Sequence, residues 1–443
     1  MHVQPNSHQL IACAECGLVV HIPIIKPSQS AHCPQCQYSL TKIYARPYQG
    51  VIAISIASLV ALILSLSFPF MSFSVQGITQ QITLLHAAKM LAEFHNILLG
   101  GLLLVTVLVL PALYISLILF MHLWAARSPR LPLSKRLAML ARILCKILFH
   151  IKPWLMVDVF LIGVLVSLIK ISALASVSMG GAFWAFCAYA VLVVKCITMV
   201  DKSWLWGHFI PIKKIPNVHA GESHLSHNHI GCHTCHQINP INSGKVRLCL
   251  RCRSPLNLYD PKINLQKSWA LLLASAILYL PANLYPMMYT VSLGYSQGST
   301  ILEGVILLWQ LKSYPVAAVI FFASIFIPMA KMLTLSWLYY NAQRTSYLIP
   351  EESLSRLKIY RITELIGRWS MIDIFVVAIL VALVQLQNFM AIFPGPAALS
   401  FAAVVILTML SAMTFDPRIL WQAPPKDKQS HLSNQLTGIV DHE

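Results

Sequence analysis

Eight apolar stretches run through the chain, at roughly 50–70, 97–121, 154–175, 182–200, 268–288, 315–339, 369–389 and 397–415. Each is long enough to cross a bilayer core as a helix. A helix satisfies its own backbone hydrogen bonds, so such segments can sit in hydrocarbon without orphaned N–H and C=O groups. Composition agrees: 57% of the 443 residues are hydrophobic and 11% are charged, where a soluble domain carries about 25% charge. These features exclude an ordinary soluble enzyme and predict an α-helical polytopic membrane protein with eight transmembrane helices.

Charge then sets the expected orientation. The 32 Lys and Arg against 15 Asp and Glu give a formal +17, which in a soluble chain would suggest nucleic acid. Here the basic residues concentrate in two connections. Arg127, Arg130, Lys135, Arg136, Arg142, Lys146 and Lys152 lie between the second and third stretches with no acid among them, and Arg344, Arg356, Lys358, Arg361 and Arg368 lie between the sixth and seventh. The connections after the first and fifth stretches carry one lysine each, Lys89 and Lys312, and those near 176–181 and 390–396 carry none. The positive-inside rule therefore predicts both basic connections and both termini on the cytoplasmic side. The tail after Trp421 reads as disordered.

Eight of the 11 cysteines form four Cys-x-x-Cys pairs outside the apolar stretches: Cys13/Cys16, Cys33/Cys36, Cys232/Cys235 and Cys249/Cys252. Two such pairs place four thiolates around one point, the arrangement Zn²⁺ takes in structural sites. The expected cofactor is zinc, in two four-cysteine ribbons; disulfides or a redox-active Cys-x-x-Cys are the alternatives, and the βαβ context of a thioredoxin-like motif is missing. Zinc thiolates also imply a reducing compartment, in agreement with the charge argument.

The two halves repeat. Cys13 corresponds to Cys232 (offset 219), Pro69 to Pro286 and Pro111 to Pro328 (217), and Trp154, Asp158 and Asp201 to Trp369, Asp373 and Asp416 (215). Trp154-x-Met156-x-Asp158-x-Phe160 recurs as Trp369-x-Met371-x-Asp373-x-Phe375. Each copy is a ribbon followed by four spans, a parallel repeat without inverted symmetry. The expected division is a first ribbon over 1–45, a first membrane domain over 46–205, a linker and second ribbon over 206–262, a second membrane domain over 263–418 and a tail over 419–443.

Ionisable residues inside the stretches are costly, about 2.5–3.5 kcal/mol each at a helix centre, and so point to function. Lys331 and Asp373 lie at matching depths, and Thr408 reaches a similar depth on the eighth span, so a Lys331–Asp373–Thr408 cluster is one reading. Snorkelling of Lys331 with Asp373 as a helix-start residue is the other. In the first half the lysine position is Tyr114, while Asp158 could meet Lys195. Weaker features are the prolines of the spans, amphipathic segments at 83–95 and 300–312, and the histidines His219, His224, His227, His229, His233 and His236, expected as a solvated linker.

No phosphate-binding loop, nucleophile elbow, metalloprotease helix or dinucleotide fingerprint is present, so no enzyme activity is expected. The Cys-x-x-Cys knuckles, the fourfold spans, Phe68-Pro69 and Tyr285-Pro286 at span ends, and the paired Trp-x-Met-x-Asp motifs make the chain resemble the paraquat-inducible protein A family over about residues 10–420. The resemblance implies a Gram-negative inner-membrane protein that partners a periplasmic MCE-domain tunnel protein and transfers phospholipid between membranes. It also implies that Lys331, Asp373 and Thr408 match a polar network driving transport. One departure is the 13-residue spacing between the pairs of the second ribbon, against 16 in the first. A zinc-ribbon adaptor or sensor, whose helices only anchor it, is the alternative.

Overall fold

The computed structural model describes residues 9–22, 29–42, 48–75, 78–85, 97–127, 134–172, 176–216, 218–226, 228–241, 248–256, 260–292, 295–310, 312, 314–344, 350–383, 385–386 and 390–421. The tail expected as disordered lies outside these from residue 422, as does most of the 83–95 segment.

Two antiparallel hairpins open the chain, β1 (Gln9–Ala12) with β2 (Val19–Ile22) and β3 (Ser30–His32) with β4 (Ser39–Lys42). The first half follows with α1 (Gln49–Ser67), which stops where Pro69 cannot donate to the ladder, then β5 (Met71–Val75) and β6 (Ile78–Ile82). The second span is α2 (Ile97–Leu103), a π-helical turn Leu104–Val109, and α3 (Leu110–Arg127). Pro111 explains that turn: its ring would clash with the carbonyl four residues back, Val107, and the wider turn relieves this. Next come α4 (Lys135–Ile151), α5 (Val157–Ser172), β7 (Ser176–Met179), α6 (Gly181–Met199) and α7 (Lys202–Phe209).

A third hairpin, β8 (His229–Gly231) with β9 (Ile238–Pro240), begins the second half. It continues through α8 (Pro261–Leu284), β10 (Met288–Ser292), β11 (Tyr295–Ser299), α9 (Ile301–Gln310) and α10 (Tyr314–Phe321). A second π-helical turn, Phe322–Phe326, precedes α11 (Ile327–Arg344), and Pro328 stands to it as Pro111 stands to the first. The chain closes with α12 (Pro350–Trp369), α13 (Ile372–Leu383), β12 (Gln385–Leu386), β13 (Met390–Pro394) and α14 (Pro396–Thr414).

Seven helices among the described residues are long and apolar enough to cross a membrane, counting α4 and α5 as one run, Lys135–Ile169. The stretch expected as the seventh span, 369–389, is helical for 12 residues in α13, fewer than the roughly 20 of a full span, and its chain re-forms as strand β12. In each half the first and fourth spans pack side by side, α1 on α6 and α8 on α14. The halves meet through their third spans, α5 and α13. There Phe160 and its repeat equivalent Phe375 pack edge to face with centroids 5.5 Å apart, and Ser167 Oγ reaches the Val376 carbonyl at 3.4 Å. Equivalent residues in mutual contact are the mark of a local two-fold relation between the halves.

The short connections at 176–181 and 390–396 are not plain turns. They contribute strands to two small antiparallel sheets of matching design, ordered β6-β5-β7 and β11-β10-β13-β12. Met71 pairs with Ile82 and Met179, and Met288 with Ser299 and Pro394. The glycines that follow the added strands, Gly180 and Gly395, donate to the carbonyls of Phe70 (3.1 Å) and Met287 (2.8 Å).

Candidate functional site

Four copies of one backbone turn build the cysteine tetrads. In each, the amide four positions after the first cysteine doubles back: Gly17, Gln37, His236 and Arg253 donate to the carbonyls of Cys13, Cys33, Cys232 and Cys249 at 2.9–3.0 Å. All four residues have left-handed φ, between 57° and 74°. Only Gly17 adopts that region without a Cβ penalty, and the other three accept about 1–2 kcal/mol each to close the knuckle. The spacing of the cysteines was visible in sequence, whereas these strained positions carry no glycine signal and were not.

The tetrads Cys13, Cys16, Cys33, Cys36 and Cys232, Cys235, Cys249, Cys252 are buried, with the sulfurs of each set within 4.8 Å of one another. Cross-hairpin Sγ pairs lie 3.4–3.5 Å apart. A disulfide needs about 2.05 Å. The edge of a tetrahedron with metal–sulfur bonds of about 2.3 Å is roughly 3.8 Å, so the four sulfurs of each set are spaced to hold one metal ion. The thiols also compete for protons: hydrogen bonds led by Cys13 and Cys232 drive Cys33 and Cys252 toward thiolate, while the same neighbours drive Cys16 and Cys235 the other way. A divalent ion held by the four sulfurs would resolve that competition by replacing the shared protons.

Each module is joined to the helices by polar contacts. Arg361 on α12 pairs with Glu15, which holds its guanidinium above its ordinary pKa, and Arg361 Nη2 also donates to the Cys36 carbonyl at 2.9 Å. Asp201, after the fourth span, accepts from the Lys42 amide at 2.9 Å and from Thr41. The second module docks on the first half: Arg251 donates to the Ile210 (2.8 Å) and Cys235 (2.9 Å) carbonyls, and Arg142 on α4 donates to the Arg251 carbonyl (2.9 Å). The N-terminal module thus touches both membrane halves, and the second module docks on the first.

The histidine-rich linker departs from the solvated segment expected of it. His224 and His229 are buried, the first against Gly17 of the N-terminal module, and burial pushes the His224 imidazole down to about 4. Val19 and the 221–222 segment exchange backbone hydrogen bonds, Val19 N to Glu222 O (2.7 Å) and Gly221 N to Val19 O (2.9 Å), so the linker adds itself to β2. His227 lies outside the described residues.

Within the second half, Lys331 on α11 is 4% exposed and its Nζ donates to Thr408 Oγ1 on α14 at 3.0 Å. Thr408 Oγ1 donates its own hydrogen to a bond with the Val405 carbonyl at 2.9 Å. The Lys331 side chain is able to lie there because Gly367 on α12 has no Cβ: one built on it would meet Nζ at 2.8 Å and Cε at 3.0 Å. Below, Tyr339 OH meets Ser411, Ser411 Oγ donates to the Ser268 carbonyl (2.8 Å), and Tyr360 OH donates to the Ala412 carbonyl (2.9 Å). The backbone of Asp373 lies in the first turn of α13, just after the break that ends α12; its side chain is outside those described.

At the corresponding places the first half is apolar, with Tyr114 for Lys331 and Val193 for Thr408, both buried. Asp158 occupies the first turn of α5 and is half-buried, whereas Lys195 is exposed; no ion pair among the described residues joins them. That position favours Asp158 as a residue complementing the α5 dipole. Sequence reasoning found Lys331 and Thr408 from their depths and missed Gly367, for which only a helix-interior glycine beside the Trp-x-Met-x-Asp motif could have served as a signal.

The family described as paraquat-inducible protein A matches residues 48–210 and 265–424. The chain is 39% identical to the intermembrane transport protein PqiA of Escherichia coli (strain K12), over 94% of its own length and 97% of that protein. It is 29% identical to the lipophilic envelope-spanning tunnel protein A of the same strain, over 93% of its length and 91% of that protein. A third relative, a probable intermembrane transport protein of Haemophilus influenzae, is 28% identical over 95% and 97%. No solved structure matches.

Proposed function

Because the chain belongs to the paraquat-inducible protein A family, we propose that it is an inner-membrane lipid transporter component, which loads phospholipid into, or receives it from, a periplasm-spanning MCE tunnel and so supports outer-membrane integrity. The observation that carries this reading is the buried Lys331–Thr408 pair lying against Gly367 of α12, in a chain whose relatives are named for intermembrane transport. An anchor has no need of a buried cation, and burying one is costly unless it works. In this reading Lys331, Thr408 and Asp373 form a gate: protonation of Asp373 releases Lys331 and lets α11, α13 and α14 shift between two arrangements. The π-helical turn one turn above Lys331 suits such a shift, since π-bulges recur at functional sites. Co-purification tests the pairing: the tagged full-length chain should bring down a periplasmic MCE-domain protein together with phospholipid, and a clean monomer free of both would sink the proposal.

The ion of both tetrads is zinc in this reading, held by all eight knuckle cysteines and supplying folding free energy without chemistry. Elemental analysis should give two zinc per chain, and Cys13→Ser with Cys33→Ser should leave about one. The five-part division at 1–45, 46–205, 206–262, 263–418 and 419–443 goes with it. The modules and both termini face the cytoplasm and the two sheets face the periplasm. A small membrane-impermeant maleimide applied to intact cells should label a cysteine placed at Gln297 on β11 and spare one placed at Ser355 on α12; the reverse pattern would invert the topology.

A further inference from the structure

The segment between Arg127 and Lys152 is read above as a basic connection, yet from Lys135 to Ile151 it is a helix, α4, capped by Ser134 accepting from the Leu137 amide. At 100° per residue its side chains divide into three sectors. Ala141, Cys145 and Leu148 are fully buried against the protein, where α4 packs on α7. Leu140, Ile143 and Ile147 form a second sector, each 40–45% exposed. Lys135, Lys146 and His150 line a third together with Met139, which is 58% exposed, and Arg136 heads the apolar sector at its N-terminal end. Arg142, at the inner edge of the basic sector, is committed to the Arg251 carbonyl.

An apolar stripe edged by cations, on a helix that links two membrane spans, has the form of a helix lying in the plane of the bilayer surface. We propose that this outer face of α4 is a docking surface for anionic phospholipid, with Leu140, Ile143 and Ile147 at the acyl chains and Lys135, Arg136 and Lys146 on the headgroup phosphates. Charge complementarity selects the occupant. No acid stands between Arg127 and Lys152 in the sequence, so the charged side chains of this helix are all cations. The repeat-equivalent helix differs: α12 carries Glu351, Glu352 and Glu364 among its bases, and Arg361 is spent on Glu15. The surface is therefore a property of the first half, complementary to the Lys331 site in the second, and it stands whether or not the chain moves lipid.

Native mass spectrometry of the full-length protein in detergent, titrated with dioleoylphosphatidylglycerol or dioleoylphosphatidylcholine, tests it. Wild type should retain the anionic lipid preferentially. Lys135→Gln, Arg136→Gln and Lys146→Gln together should weaken that retention between tenfold and a hundredfold, since each cation near an anionic surface contributes about a factor of five, while Lys358→Gln on α12 leaves it unchanged. If the triple variant does not fold, wild type still decides: its anionic preference must fall as salt rises, because exposed charges are screened. Equal retention of the two lipids, a preference indifferent to salt, or an equal loss in Lys358→Gln would each overturn the proposal and leave the face to a protein partner.

Discussion

Alanine at Gly395 is expected to lower the stability of the folded protein sharply, and alanine at Gly180 to do the same in the first half. A Cβ on either glycine would stand 2.0 Å from a main-chain carbonyl oxygen, that of Pro286 or of Pro69. Conformation is not the obstacle: φ and ψ are −88° and 172° at Gly395 and −78° and 168° at Gly180, ordinary for any residue. The whole effect is steric, and the atom in the way belongs to a backbone held by the sheet, so it cannot swing aside. Overpacking costs about 1–3 kcal/mol, and a backbone obstacle places these variants at the upper end. Gly181 is the internal control, since a Cβ there meets nothing within 4 Å. Thermal denaturation followed by size exclusion in detergent should show Gly395→Ala and Gly180→Ala melting several degrees below wild type, with Gly181→Ala unchanged. Wild-type melting of Gly395→Ala would mean that the strand crossing after the seventh span is looser than its hydrogen bond to Met287 implies.

This pair of glycines marks where sequence reading stopped. The helices, the repeat and the tetrads were legible because each leaves a periodic or spaced signature: apolar runs, an offset of 215–219, and paired Cys-x-x-Cys. The two sheets leave none. Their strands are two to five residues long, and β5 and β7 are separated by nearly a hundred residues, so pairing is decided by which span ends lie side by side. For the same reason α4 was read as a loop: its basic residues dominate the composition, while its apolar sectors emerge only once the helix is laid out against α7. The π-helical turns were half legible, since Pro111 and Pro328 announced a disturbed helix without saying how it would relax. In the candidate site, depth counting placed Lys331 and Thr408 together, because rise per residue is a property of any helix. It could not show that a third helix supplies an absent side chain to make room.

That absence yields the second large expectation: under the proposed gate, Lys331→Ala and Gly367→Ala should both abolish function while leaving the protein folded. The added Cβ meets the ammonium end of Lys331, the far end of a flexible side chain, so the lysine moves and the backbone does not. Moving it breaks the 3.0 Å bond to Thr408, and a hydrogen bond to a charged group contributes about 1.5–3 kcal/mol. The fold tolerates the change and the site does not, the opposite balance from Gly395. In a deletion strain, outer-membrane barrier function should fail with Gly367→Ala at normal abundance. The double variant Gly367→Ala with Lys331→Ala should be no worse than either single one, since both remove the same ammonium from the same place. Lys331→Arg should fail as well, because a planar guanidinium is larger than the space over Gly367 and holds its proton throughout. Asp373→Asn should fail by fixing one protonation state, and Thr408→Val more mildly. Asp158→Asn and Lys195→Ala should complement, since no ion pair joins them among the described residues and the surrounding first-half positions are apolar. Complementation by Gly367→Ala and Lys331→Ala at equal abundance would leave the cluster as packing, with the helices a platform for the proposed tunnel.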